Sequence, residues 1–236
     1  MTDTLPKPLR AGGRALKRQV FDLLHTLEID RAVEELYGFP PKRVINPLFS
    51  LLNHKDPDIR WAAVTASGAV VARLAELDIE GARIILRRIM WNLNDESGGI
   101  GWGLPEVMGE ILARVDVLAE EFSPILLSYA DEKGNYLEYD MLQRGLLWGI
   151  GRLAQVRPEH IQSLEPHLFR YFESPDAGVR GHAAWVAGMV PFPKVRSHLE
   201  RLTGDDSEFR LYEGQRLQTR KVREVAAQAL KGLEAV

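Results

Sequence analysis

Four of the five tryptophans of this 236-residue chain, Trp61, Trp102, Trp148 and Trp185, fall on one predicted helical face of successive segments, at positions one turn apart. Glu106, Glu110, Arg144 and Arg152 fall on the same predicted helical face, one or two turns from a tryptophan. Indole rings supply large rigid contact area, arginine supplies two-pronged hydrogen bonding, and carboxylates give polarity. That is the chemistry of holding a partner's side chains. These eight residues are therefore the expected partner-binding set, with Trp102, Trp148 and Trp185 as anchors and Glu106 and Arg144 setting orientation. A second candidate is the segment 94–103, where Asp95 and Glu96 precede four glycines and Trp102 on permissive backbone.

Catalytic patterns do not emerge. The run Gly149-Ile150-Gly151-Arg152-Leu153-Ala154 fits G-x-G-x-x-A, but no strand precedes it, so these are expected to be helix-packing glycines. Gly99, Gly101 and Gly103 lack the lysine of a phosphate-binding loop, and no strand-turn-helix serine is visible. Cysteine is absent, which removes disulfides, thiolate chemistry and cysteine-bound metals. His160 and His167 share a helical face without a third ligand at metal spacing. No cofactor and no metal are expected.

The elements that must position the stripe repeat themselves. Arg60, Gly101, Gln143, Arg180 and Arg223 open equivalent small-and-apolar segments, at intervals of about 40 residues, the period of a helical solenoid. Asp56-Pro57 and Ser174-Pro175 supply the N-cap and first-turn proline of two of these segments. The pattern predicts an all-α solenoid of about five helix pairs: 41–52 with a helix opening at Asp56-Pro57, 79–93 with 104–115, 117–130 with 139–155, 158–172 with 176–190, and 193–202 with 219–234. Helices near 14–29 and 30–37 form an N-terminal cap. Residues 1–13 are expected to be a flexible arm and 14–236 one domain. The alternation around Glu213-Gly214 predicts a small hairpin within 205–218.

The segments Asp56-Pro57-Asp58-Ile59-Arg60-Trp61-Ala62-Ala63 and Ser174-Pro175-Asp176-Ala177-Gly178-Val179-Arg180-Gly181-His182-Ala183-Ala184 resemble HEAT repeats of the phycobilisome-lyase type. The stretch Trp91 to Ile111 further resembles an uncharacterised bacterial HEAT-repeat group from sulfate- and metal-reducing lineages. The resemblance implies a polar ladder between repeats, built from Asp56 with Arg60 and Asp176 with Arg180, and interrupted at Gly101 and Gln143. It carries no assigned activity. The functional expectation is a non-catalytic scaffold that binds a protein or peptide in its concave groove. The alternative is a HEAT-like DNA alkyl-base glycosylase, since such enzymes use concave-face tryptophans with an acid and arginines.

Charge weighs against that alternative. Thirty basic against 33 acidic residues leave a net charge of -3, with no cationic footprint for nucleic acid. The basic run of Arg83, Arg87 and Arg88 reads as a solvated helix face. No run approaches the ~20 apolar residues of a membrane span, and no signal peptide is evident, so a cytoplasmic protein is expected.

Overall fold

The computed structural model describes residues 12–94 and 101–234, the last without its side chain. Helices α1 (Gly13–Thr26) and α2 (Ile29–Leu36) cap the N-terminal end. Five pairs follow: α3 (Pro41–Leu51) with α4 (Pro57–Leu77), α5 (Ile79–Leu93) with α6 (Leu104–Arg114), and α7 (Asp116–Ser128) with α8 (Asp140–Ala154). The fourth joins a 3₁₀ turn (Pro158–Leu164) and α9 (Glu165–Phe172) to α10 (Ala177–Ala187), and the fifth joins α11 (Arg196–Leu202) to α12 (Val222–Glu234). Between the last two helices lies a hairpin of β1 (Glu208–Glu213) and β2 (Arg216–Lys221).

The second helices form one layer, α4 on α6, α6 on α8, α8 on α10 and α10 on α12. Their composition explains it. Helix α4 carries alanine, valine and small residues on nearly every face, as a helix with neighbours on both sides must. Where α6 crosses α8, Gly109 faces Gly149 so closely that a Cβ on Gly109 would enter the Gly149 backbone. The G-x-G-x-x-A run is thus packing, as its position inside a helix implied.

Local signals fix the helix starts. Asp56 accepts the Asp58 N–H and Asp176 accepts the Val179 N–H, each ahead of its second helix. Gly103, with φ of 77°, caps α6 in the left-handed region. The expected helix 158–172 is divided instead, because Pro166 has no N–H to continue a helix from the preceding turn and opens a new one.

The polar ladder differs in its pairing. Arg60 does not pair with Asp56; its Nη1 donates to the carbonyls of His54 and Lys55. Arg180 donates likewise to Ser174 and Pro175, and Gln143 to Leu137 and Glu138. The same position therefore closes the same turn in three repeats, with glutamine replacing arginine without interruption. Ion pairs then join neighbours: Arg144 forks onto Asp176, and Arg180 pairs with Asp205 at 2.7 Å.

Among the described residues no helix is long and apolar enough to cross a membrane. The arginines of α5 are absorbed by Glu80, Glu121 and Asn46.

Candidate functional site

The hairpin lies across the layer of second helices. Its strands pair from Glu208↔Lys221 to Glu213↔Arg216, leaving Gly214 and Gln215 as a two-residue turn. Both have positive φ, 57° and 61°, the conformation that matches the twist of two-residue hairpins. The turn thus sits one residue beyond the expected Glu213-Gly214, and β2 runs on to Lys221.

Strand alternation gives the hairpin two faces. Phe209 and Leu211 are buried on one, with Phe209 filling the space left by Gly181 and lying edge-on to His182. Arg210 and Tyr212 point the other way. Tyr212 stacks on Trp61, its carbonyl accepts the Trp148 indole N–H at 2.7 Å, and its hydroxyl lies 3.4 Å from Thr65 Oγ1. Glu213 receives the Trp185 indole N–H at 3.3 Å, and Gln215 at the tip donates to Asp30 of α2. The fifth repeat thereby reaches the N-terminal cap.

Between this hairpin and the helices remains a pocket of about 880 Å³, lined by Arg60, Trp61, Trp102, Glu106, Arg144, Trp148, His182, Arg210 and Leu217, among others. Five of the eight stripe residues meet there: Trp61, Trp102, Glu106, Arg144 and Trp148. The other three do not. Glu110 is 3% exposed and held by Arg114 and Arg152, each at 2.7 Å, so Glu110 and Arg152 neutralise one another. Trp185 is buried between Gly151 and the hairpin. Trp148, though it lines the pocket, is only 3% exposed. The expected open aromatic groove needs correcting: the chain's own hairpin occupies its central stretch and covers two of the three anchors. Asp95 and Glu96 lie outside the described residues.

Glu106 is the polar centre of the pocket. It stands in the first turn of α6, and its carboxyl occupies the space that a side chain at Gly145 of α8 would need. Its Oε2 is shut off from solvent and has no hydrogen-bond partner. Burial pushes this carboxyl up to about 7, against the opposing pull of its own backbone N–H and of Arg60. His182 shifts the other way, down to about 4, because burial disfavours the imidazolium. Its Nδ1 lies 2.7 Å from the Gly178 carbonyl, which can only accept, so Nδ1 carries the proton. Arg60, Arg210 and Tyr212 escaped the sequence reading. The ladder that the repeat resemblance implies already accounts for Arg60, and nothing local in 205–218 says which helices the hairpin will cross.

Among solved structures, a designed armadillo repeat protein in complex with the peptide (KR)4 superposes with a TM-score of 0.56 at 17% identity, over 93% of this chain and 92% of that one. A computationally designed armadillo repeat protein for modular peptide recognition gives 0.52 at 16%, over 93% and 92%. The fold is an armadillo-like repeat solenoid. No family model matches the chain. An uncharacterized protein of Archaeoglobus fulgidus is 29% identical over 109 residues, covering 46% of this chain and 53% of that protein, so the chain matches about half the length of that relative.

Proposed function

We propose that this solenoid is a non-catalytic scaffold that receives a segment of a protein or peptide partner in the pocket between its second helices and its hairpin. One observation carries the reading: side chains from α4, α6 and α8 converge with the hairpin on a pocket that is both aromatic and charged. The half-buried Trp61 and Trp102 form its apolar wall, and Arg144 and Glu106 its polar one. Designed armadillo proteins of the same fold recognise peptides, which agrees with this use of the architecture. The phycobilisome-lyase-like repeat type, a single domain over 14–236 and a cytoplasmic setting remain part of the reading on sequence grounds.

Selection of displayed random peptides on the intact protein tests it. Recovered peptides should bind with at least tenfold lower affinity to Trp102→Ala, about the 1.4 kcal/mol expected as a minimum for an aromatic anchor. Failure to enrich any peptide, or binding indifferent to Trp102→Ala, would reject the pocket as the docking site.

A second reading rests on the same convergence. Trp102, Glu106, Arg144 and Trp148 also provide the kinds of group an alkyl-base glycosylase needs, an acid and aromatics around a cationic base. Arg60 and Arg210 beside the acid oppose a cation there, and the net charge opposes duplex binding. Release of a methylated purine from alkylated DNA would establish this reading and remove the first.

A further inference from the structure

We propose, on the footing of the scaffold reading above, that the pocket selects an anionic group, the carboxylate of an acidic side chain on the partner peptide, held by Arg60 and Arg210 and hydrogen-bonded by Glu106. The charge inventory of the pocket leads there. Arg144 is forked onto Asp176 and brings no net charge. Arg60 spends its Nη1 on two backbone carbonyls and has no carboxylate at ion-pair distance among the described residues. Arg210 projects from the pocket face of β1, exposed, and its side chain has no ion pair or hydrogen bond among the described residues. Two cations are thus uncompensated by any acid except Glu106.

The buried Oε2 of Glu106 supplies the second half. An oxygen cut off from water without a partner is costly to leave so, and a turn of the Glu106 carboxyl toward the pocket it lines brings Oε2 to a ligand atom, the partner it lacks. With a carboxylate opposite, only the acid form of Glu106 can complete that bond, its O–H donating to the ligand oxygen. The charged and titratable groups around it agree. Arg60 faces it from α4, Arg144 from α8, neutral His182 from α10 and Arg210 from β1. Glu110, one turn along α6, is consumed by Arg114 and Arg152. Binding an anion therefore takes up a proton at Glu106, so affinity falls as pH rises through about 7.

The test uses the full chain and two acetylated, amidated, dye-labelled octapeptides, (EY)4 and (KY)4, titrated by fluorescence anisotropy at pH 6 and pH 8.5. The expected result is binding of (EY)4 about tenfold tighter than (KY)4 at pH 6, weakening about tenfold at the higher pH. Arg210→Glu should abolish the preference, since an exposed strand residue can change sign without unfolding the core. Glu106→Gln should retain binding at pH 8.5 and lose the pH dependence, because an amide donates at either pH. Preference for (KY)4, or equal affinity, would overturn the anionic selectivity and leave the scaffold reading standing. Binding of glutarate as tight as that of (EY)4 would overturn the peptide source. Binding of neither octapeptide, together with no enriched peptide in the display selection, would overturn both readings.

Discussion

Tyr212 lies flat on Trp61, with ring centroids 4.5 Å apart and planes 4° from parallel, although one belongs to the last repeat and the other to the first. Trp148 closes on the pair from the third repeat, 4.7 Å from Trp61. Three aromatic rings from three separate repeats thus make one cluster. The hairpin is consequently a brace as well as a wall of the pocket, because every repeat it touches is tied to the others through it. Solenoid repeats otherwise feel only their immediate neighbours.

Truncation of this ring measures the brace. Tyr212→Ala should lower stability by about 3 kcal/mol, the scale of losing a packed aromatic side chain, and shift the emission of Trp61 and Trp148 toward that of exposed indole. Tyr212→Phe keeps the stack and gives up only the long contact with Thr65, so it should cost under about 1 kcal/mol. Urea unfolding followed by tryptophan fluorescence reads both. Equal stability of the alanine variant and the wild type would show that the hairpin merely rests on the helices.

The repeat architecture was legible because it is written in short-range terms. Period, N-caps such as Asp56, and small residues on the core face all act within a turn or two of helix; in the fourth repeat the cap falls on Asp176, two residues beyond the expected Ser174, because its carboxylate is the one that accepts the Val179 N–H. Five of the eight stripe residues meet in one pocket for the same reason: they stand at two offsets one helical turn apart, which share a face in each second helix and so line up along the layer. The hairpin's destination was not legible. Phe209 fits against Gly181 and Tyr212 against Trp61 through contacts between distant segments, and neither residue type specifies its partner. The pairing of Glu110 with Arg152 was equally hidden. Opposite charges at matching offsets in adjacent repeats are as compatible with a charged groove as with the closed ion pair that forms.

Backbone contact between α6 and α8 makes a second prediction. A Cβ at Gly109 would meet Gly149 main chain, which cannot rotate away as a side chain can. Gly109→Ala should therefore destabilise by roughly 3 kcal/mol through forced separation of the two helices. Gly13→Ala is the matched control, since open space surrounds that position in α1 and the substitution should stabilise by up to about 1 kcal/mol. Thermal unfolding of the pair distinguishes a packing requirement from a general effect of replacing helical glycine; similar midpoints would contradict the close crossing.

Acid should expose His182. Its folded-state value is depressed to about 4 from an ordinary 6.5, so the unfolded chain binds the proton first as pH falls. The contribution to stability is complete above pH 6.5 and lost progressively as pH falls toward 4, reaching about 3 kcal/mol from a shift of roughly two and a half units. His182→Gln, which can still donate to the Gly178 carbonyl, should remove that part of the acid slope. An unchanged slope in the variant, measured by urea unfolding from pH 7 to pH 4, would mean that other groups carry it.

Glu106 imposes the opposite dependence. Its folded-state value is raised to about 7 from 4.5, so the folded protein holds a proton that the unfolded chain releases earlier. Stability from this group is fully present below pH 4.5 and is lost as pH rises through 7, to a limit of about 3 kcal/mol. Glu106→Gln should match the wild type near pH 4.5 and exceed it above pH 7.5, because the amide never bears a charge in the buried position. Adding a ligand that meets Oε2 should narrow the difference on the alkaline side only if that ligand binds with Glu106 protonated. Denaturant midpoints for wild type and variant across pH 4.5 to 8.5 settle the sign: a variant less stable than the wild type at the alkaline end would require the carboxylate itself to be stabilised in the fold.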